Sequence, residues 1–197
     1  MASAGGRPSW QAMVSVRTSI VPPGPRPLPA DTPGTSAPIT TPQVTASLHD
    51  FAVSLTADPT PYVHEVIAGA RESGRIIGVV SNNSPRAVNA YLDRHGLTDG
   101  IALVVARTSH DPALLKPNPH LINETISALE AHSFAAALVG DSFTDIEAAH
   151  SAGVDSIGYA NKPGKRKRMI ELRAGAVITS MAELALSLRA HAASPEP

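Results

Sequence analysis

From about residue 60 onward, short apolar runs alternate regularly with segments of helical periodicity. In TPYVHEVIAGARESG, Val63, Val66, Ile67 and Ala70 share one helical face. The apolar runs are RIIGVVS (75–81), IALVVA (101–106), AAALVG (135–140) and VDSIGYA (154–160), followed by a short VIT. Strands that alternate with helices of this length form a parallel sheet with right-handed crossovers. We therefore predict an α/β fold, a Rossmann-like parallel sheet with helices on both faces.

The chain before residue 60 has a different composition. Residues 22–43 hold eight prolines and almost no large apolar side chains. Such a segment cannot bury enough surface to offset its ordering entropy, so we predict a disordered linker. Residues 1–21 include AMVSVRTSIV (12–21), a candidate for a degenerate strand of the sheet, and residues 190–197 are predicted to be a disordered tail. The α/β core is then expected at residues 60–189.

Composition excludes several kinds of site. A net charge of −1 gives no electrostatic footprint for nucleic acid or a membrane surface, and KRKR (165–168) is interpreted as a solvated helix surface. The absence of cysteine excludes disulfides, thiolate zinc sites and cysteine nucleophiles. No apolar run approaches the ~20 residues of a membrane span, and the first residues lack the apolar core of a signal peptide. We expect a cytoplasmic protein with neither nucleic acid nor membrane as partner; the sequence does not give its oligomeric state.

Polar side chains stand at two places beside the predicted elements: at the end of the apolar run 75–81, and in the loop before the helix that follows the run 101–106. In open parallel sheets, ligands bind at the carboxyl ends of the strands. Ser81 and Asn82 lie at such an end, where a hydroxyl and backbone N–H groups can bind an anion. The alternative is helix capping, for which Ser84 already suffices. Lys116, in LLKPNP, either acts as a point charge on a phosphoryl group or is solvated, as single loop lysines usually are.

Two carboxylates stand in ALVGDSFTDIEAAH, Asp141 at the end of an apolar run and Asp145 in the first turn of the next helix. Acids are favoured at helix N-termini by ~0.3–1 kcal/mol, which explains one aspartate more easily than two. Mg²⁺ takes one or two carboxylates and fills its other positions with water and phosphate oxygens. The pattern predicts a Mg²⁺ site at Asp141 and Asp145, beside a phosphate site.

Taken in order, these segments resemble the haloacid dehalogenase superfamily, specifically its small phosphatases of the phosphoglycolate phosphatase-like kind. IIGVVSNNS resembles the second motif, with Ser81; LLKPNPHLI the third, with Lys116; and ALVGDSFTDIEAAHSAGVDSIGYANKPGK the fourth, with Asp141 and Asp145 in the metal-binding positions. The resemblance covers about residues 58–188. It implies Mg²⁺-dependent transfer of a phosphoryl group from a small phosphorylated metabolite to an aspartate, followed by hydrolysis, with Ser81, Asn82 and Lys116 binding phosphate and Ser81 and Lys116 taking part in catalysis.

The sequence departs from this family at the nucleophile. The family's aspartate belongs to a first motif, DxDx[TV], at the end of the central strand, and no two of the nine aspartates here are separated by a single residue. An alignment of AMVSVRTSIV with that motif puts Ser15 and Arg17 at the two aspartate positions and Ser19 at the threonine position. A serine nucleophile needs a base, and none is identified. Residues 44–59 would be the remnant of the family's helical cap.

Three functional interpretations remain open. The first is a phosphatase scaffold that has lost its nucleophile, a pseudoenzyme or a truncated or frameshifted product of an active gene, with very low or no activity. The second is a hydrolase that uses another aspartate, such as Asp50 or Asp58. The third is a non-catalytic module that binds phosphate or a partner on the same fold. We expect the first.

Overall fold

The structure, a computed structural model of the chain, describes residues 57–109 and 111–192, together with the backbone of residues 12–17. Its strands form one sheet: β1 (Ala12–Arg17), β2 (Arg75–Ser81), β3 (Leu103–Ala106), β4 (Ala136–Gly140), β5 (Asp155–Tyr159) and β6 (Ala176–Ile178). The helices are α1 (Val63–Glu72), α2 (Pro85–Arg94), α3 (His120–Ala128), α4 (Phe143–Ala152), α5 (Lys165–Glu171) and α6 (Met181–Ala192). The order of strands across the sheet is β3-β2-β1-β4-β5-β6.

The helix boundaries follow from local chemistry. Ser84 is the N-cap of α2, and its Oγ accepts a hydrogen bond from the Ala87 backbone N–H at 3.4 Å, with Pro85 in the first turn. Helix α4 ends at Gly153, whose φ of 66° is the left-handed conformation that glycine adopts most easily. The start of α2 at Ser84 is the one that the sequence predicts.

Helices cover both faces of the sheet, because successive strand residues point to opposite sides. In β2, Ile77 and Val79 pack in one core cluster with residues of α1, α2 and α6. Val80, the residue after Val79, points to the opposite side and packs in a second cluster with residues of α3 and α4, and Leu138 of β4 belongs to the same cluster. The predicted α/β fold is confirmed.

The central strand, however, runs against its neighbours. β1 lies between β2 and β4 and pairs antiparallel with both, with Val14 opposite Gly78 and Leu138. The pairs β2–β3, β4–β5 and β5–β6 are parallel, as predicted. Crossover helices force successive strands into one direction, but the helical pattern of this sequence begins only at about residue 60. The helical pattern therefore does not constrain the direction of β1, which precedes it in the sequence.

The reversed direction corrects the alignment of the N-terminal strand with the first motif. Ser15 lies opposite Ile77 and Arg17 opposite Arg75, near the amino end of β2. At about 3.3 Å per residue, these positions are roughly 13 and 20 Å from Ser81 along the strand. It is the amino end of β1, with Ala12 opposite Val80, that lies at the carboxyl ends of β2 and β4. Ser19 lies outside the described residues.

Several predictions concern parts of the chain outside the described residues. These are the linker at 22–43, Asp50 and most of the cap remnant at 44–59, of which only 57–59 are described, without helix or strand. Helix α6 continues to Ala192, so residues 190–192 are helical, in contrast to the predicted tail. Throughout the described ranges, no helix has both the length and the apolar character needed to cross a membrane.

Candidate active site

The predicted site residues lie at the carboxyl edge of the sheet, at β2 and β4. Ser81 is the last residue of β2 and Asn82 follows it, while Asp141 follows β4 directly. Asp145 lies in the first turn of α4. Lys116 comes from the loop before α3 and contacts Asn82, after β2, and Asp145, after β4.

Lys116 is held in place by four contacts and is not a solvated loop residue. Its Nζ lies 2.7 Å from Asp145 Oδ1, and the two side chains are only 7% and 6% exposed. The same Nζ donates to the Val80 carbonyl at 3.4 Å. The Lys116 backbone N–H donates to Asn82 Oδ1 at 3.0 Å, and Asn82 Nδ2 donates to the Lys116 carbonyl at 3.4 Å. The Asn82 side chain thus fixes the loop that carries the lysine.

Asp145 combines an ion pair with a helix cap. Its Oδ2 accepts from the Ser142 backbone N–H at 3.0 Å, and its own N–H donates to Ser142 Oγ at 3.1 Å, a complete capping box. A Cβ added at Gly140 would lie 2.5 Å from Asp145 Cβ, so the side chain needs a glycine at this point. Both carboxylate oxygens are therefore engaged, Oδ1 by Lys116 and Oδ2 by the cap.

Capping does not explain Asp141, which precedes the N-cap residue of α4. It is 8% exposed, and its Oδ2 accepts from Asn161 Nδ2 at 2.9 Å and from Lys165 Nζ at 3.1 Å. Its Oδ1 is buried and has no hydrogen-bond donor in the described structure. Burial raises the pKa of the nearby Tyr159, and the Asp141 carboxylate raises it further, which shows the negative potential at this corner.

Ser81 offers a hydroxyl group at the end of β2. The residue is 3% exposed, and its Oγ accepts from the Asn83 backbone N–H at 3.1 Å. In this bond the hydroxyl is the acceptor, so its hydrogen can be donated to an anion. The Ser81 carbonyl accepts from the Arg107 backbone N–H at 3.1 Å, which ties the end of β2 to the residue after β3.

Sequence reasoning missed Asn161 and Lys165. Both contact Asp141, and Lys165 also donates to the Asp141 carbonyl at 2.6 Å and to Asn161 Oδ1 at 2.8 Å. The segment GYANKPGK was assigned to the fourth motif without a role for either residue, and Lys165 was included in the solvated KRKR. A usable signal was present, because Asn161 follows the carboxyl end of β5 by two residues, where ligand-binding residues collect.

The donor groups fit a magnesium ion at Asp141. Mg²⁺ prefers hard oxygen ligands and often needs only one or two carboxylates. The buried Oδ1 of Asp141 is such a ligand without a competing donor in the described structure. Within the described ranges no group of three or more His, Asp or Glu residues is placed to hold a metal. Asp141 is thus the residue that would hold the ion, while Asp145 would act through Lys116.

The contacts that the structure gives to Asp58 are with α2. The Tyr91 hydroxyl donates to the Asp58 carbonyl at 3.4 Å, and His95 Nε2 lies 3.0 Å from the Ala57 carbonyl. Burial, and then the Asp58 carboxylate, raise the pKa of Tyr91 to about 12. These contacts attach the backbone of residues 57 and 58 to α2 and its C-cap residue.

Comparison with known proteins gives a family match and several similar sequences. The family model of haloacid dehalogenase-like hydrolases matches residues 36–159, more than half of the chain. A phosphoglycolate phosphatase of Mesorhizobium japonicum is 31% identical over 108 residues, 53% of this chain and 47% of that protein. One of Agrobacterium fabrum is 30% identical over 134 residues, 66% of this chain and 54% of that protein. The chain spans about half the length of these relatives.

Solved structures show the same architecture. CbbY from Rhodobacter sphaeroides, solved in complex with phosphate, has a TM-score of 0.60 at 23% identity, covering 78% of this chain and 70% of that one. A HAD phosphatase from Thermococcus onnurineus has a TM-score of 0.56 at 26% identity, covering 65% and 57%. The first likeness shows the fold alone, and the family follows from the sequence match. The chain belongs to the haloacid dehalogenase-like hydrolase family.

Proposed function

We propose that this chain is a phosphatase scaffold that binds a small phosphorylated metabolite at the carboxyl ends of β2 and β4 and hydrolyses it very slowly or not at all. The observation that carries the proposal is the buried Lys116, fixed beside the end of β2 by Asn82 and Asp145. An ordered ammonium at the strand end that carries the Ser81 hydroxyl suits a phosphate dianion. The names of the relatives support a phosphomonoester as the ligand class.

Each residue has a distinct role in this proposal. The Ser81 hydroxyl donates to a phosphate oxygen, and Lys116 offsets the charge of the phosphate. The Asn82 side chain is occupied by the Lys116 backbone, so it positions the lysine. Asp141 would hold Mg²⁺, which when bound supplies positive charge next to the phosphoryl oxygens. Asp145 keeps Lys116 in place through their ion pair.

Hydrolysis is slow in this proposal because the described part of the chain has no carboxylate where the family's nucleophile stands. The strand at that place in the sheet is β1, which presents its amino end, with Ala12 opposite Val80, at the site edge. In other enzymes, removal of a catalytic nucleophile costs on the order of 10⁴–10⁶ in rate. The remaining groups can bind and stabilise charge without starting the reaction.

The test has a binding arm and a turnover arm. We expect inorganic phosphate to bind to the purified full chain in calorimetry and Lys116→Met to abolish that binding. With p-nitrophenyl phosphate and Mg²⁺, we expect no turnover above background. Turnover by the natural chain that is lost in Asp141→Asn would contradict the proposed loss of activity. If that turnover is also lost in Asp50→Asn or Asp58→Asn, the aspartate concerned is identified as the nucleophile. A chain that binds no phosphate would contradict the binding role.

A further inference from the structure

We propose that Lys165 is an internal counter-ion that competes with Mg²⁺ for Asp141, so that this chain binds the metal weakly. The inference rests on the proposed function, which makes Asp141 the residue that holds the ion. It adds a residue that sets metal affinity, and it identifies an internal cation as the feature that controls occupancy of the site.

The ammonium of Lys165 is placed as a bound cation would be. It donates to the Asp141 carbonyl at 2.6 Å, to Asp141 Oδ2 at 3.1 Å and to Asn161 Oδ1 at 2.8 Å. A lysine ammonium has three hydrogens, and here three oxygen acceptors surround it. The side chain is 21% exposed, so it is largely withdrawn from water.

Local backbone structure directs this lysine to the site. Lys165 is the first residue of α5, and the preceding Gly164 has a φ of 85°, a backbone conformation that residues other than glycine rarely adopt. The next residues of the helix, Arg166, Lys167 and Arg168, are exposed. Lys165 is therefore distinguished from the rest of the basic run by its position, and the run contains its own control.

The charges of the site are already balanced. Asp145 is paired with Lys116 at 2.7 Å, and Asp141 with Lys165 at 3.1 Å, so two carboxylates face two ammonium groups. A dication that enters must displace Lys165 or leave two positive charges uncompensated in a partly buried site, where attraction and repulsion are stronger than in water. A neutral residue at position 165 leaves a net charge of −1 among these groups and frees Asp141 for the metal.

The experiment measures metal binding without substrate. Mg²⁺ and Mn²⁺ are titrated separately into the full chain by calorimetry at constant ionic strength, for the natural chain, Lys165→Gln and Lys167→Gln. We expect Lys165→Gln to bind both ions at least tenfold more tightly than the natural chain. Lys167→Gln makes the same change in net charge at an exposed position of the same helix, and we expect it to bind like the natural chain. In Lys165→Gln/Asp141→Asn the gain should disappear.

Three results would overturn the inference: equal metal affinity in the natural chain and Lys165→Gln, an equal gain in Lys167→Gln, or no metal binding by any variant. Circular dichroism checks that each variant is folded, and Lys165→Met, which keeps the apolar stem, is a second neutral variant should Lys165→Gln not fold. Phosphate is absent throughout, so a failure here is distinguishable from a failure of phosphate binding or of the turnover prediction.

Discussion

At the level of single residues, the Lys116–Asp145 pair illustrates how a binding residue depends on its partner. Both side chains are almost completely buried, and the transfer of two charges out of water is expensive. Their attraction and the hydrogen bonds to Val80 and Ser142 offset that cost. Because a buried charge without its partner is strongly destabilising, each residue requires the other, whatever ligand the site binds.

This dependence gives a stability prediction for Lys116. We expect Lys116→Met to lower the free energy of unfolding by about 3 kcal/mol, because it leaves the buried Asp145 carboxylate with only its capping hydrogen bond. In Lys116→Met/Asp145→Asn the uncompensated charge is removed, so part of the loss should be recovered. Urea unfolding measures both variants, with the exposed Lys167→Met as the control, expected within about 0.5 kcal/mol of the natural chain. A double variant less stable than Lys116→Met would contradict this account.

Tyr91 gives a prediction about pH. Burial and the Asp58 carboxylate raise the pKa of Tyr91 to about 12 in the folded chain, against about 10 when it is unfolded. The folded state then keeps a proton that the unfolded state has lost, so the stabilisation is complete below pH 10 and is lost as the pH rises to 12. The natural chain should lose about 2 kcal/mol more than Tyr91→Phe over this range.

The comparison of the two chains isolates Tyr91, because the pH dependence of every other group is common to both chains. Urea unfolding at pH 9, 10, 11 and 12 gives the difference at each pH. Tyr91→Phe keeps the ring in its buried position and removes only the hydroxyl, which donates to the Asp58 carbonyl. A constant difference across the four pH values would show that the hydroxyl does not titrate differently in the folded and unfolded states.

At the level of secondary-structure elements, the corner between β4 and α4 sets the position of Asp145. The strand ends at Gly140, the capping box begins at Ser142, and the aspartate side chain folds back against the glycine. A Cβ on Gly140 would lie 2.5 Å from Asp145 Cβ and equally close to Oδ2. Backbone and side chain at this corner therefore determine each other.

We expect Gly140→Ala to move Asp145 out of the capping box and away from Lys116. The variant should lose phosphate binding in calorimetry and lower the free energy of unfolding by about 1–3 kcal/mol, as overpacking in a dense region does. Gly74→Ala is the control: its Cβ would have no neighbour within 4 Å, and we expect its φ of 66° to lower the free energy of unfolding by about 1 kcal/mol. If Gly140→Ala binds phosphate like the natural chain, the capping geometry is not what fixes Lys116.

For the whole molecule, local sequence patterns predicted the strands and helix boundaries that depend on neighbouring residues. The apolar runs predicted β2 and β4, and the Ser84 cap predicted the start of α2, because capping and periodicity act within a few residues. The convergence of Ser81, Lys116 and Asp145 followed from the geometry of parallel sheets. The contact of Lys165 with Asp141 links residues 24 positions apart through the turn at Gly164, and no local pattern encodes it.

The direction of β1 is the clearest case of information that a local pattern lacks. An alternating run such as AMVSVR fits a sheet equally well in either direction, since the period of two is the same both ways. Pairing with β2 and β4 then decides the direction, between residues at least 58 positions apart in the sequence. The consequence for function is large, because only one direction would put Ser15 and Arg17 near Ser81.

The strand direction can be tested by placing acids at those two positions. We expect Ser15→Asp/Arg17→Asp, which restores the spacing of the family's DxD, to show no Mg²⁺-dependent turnover of p-nitrophenyl phosphate. In the antiparallel register these residues lie opposite Ile77 and Arg75, roughly 13 and 20 Å from Ser81 at about 3.3 Å per residue. Ser15→Asn/Arg17→Asn, of similar size without the carboxylates, is the control, and circular dichroism checks that both chains are folded. Turnover in the aspartate variant alone, abolished by Asp141→Asn, would mean that the carboxyl end of this strand reaches the site and that β1 runs parallel to β2.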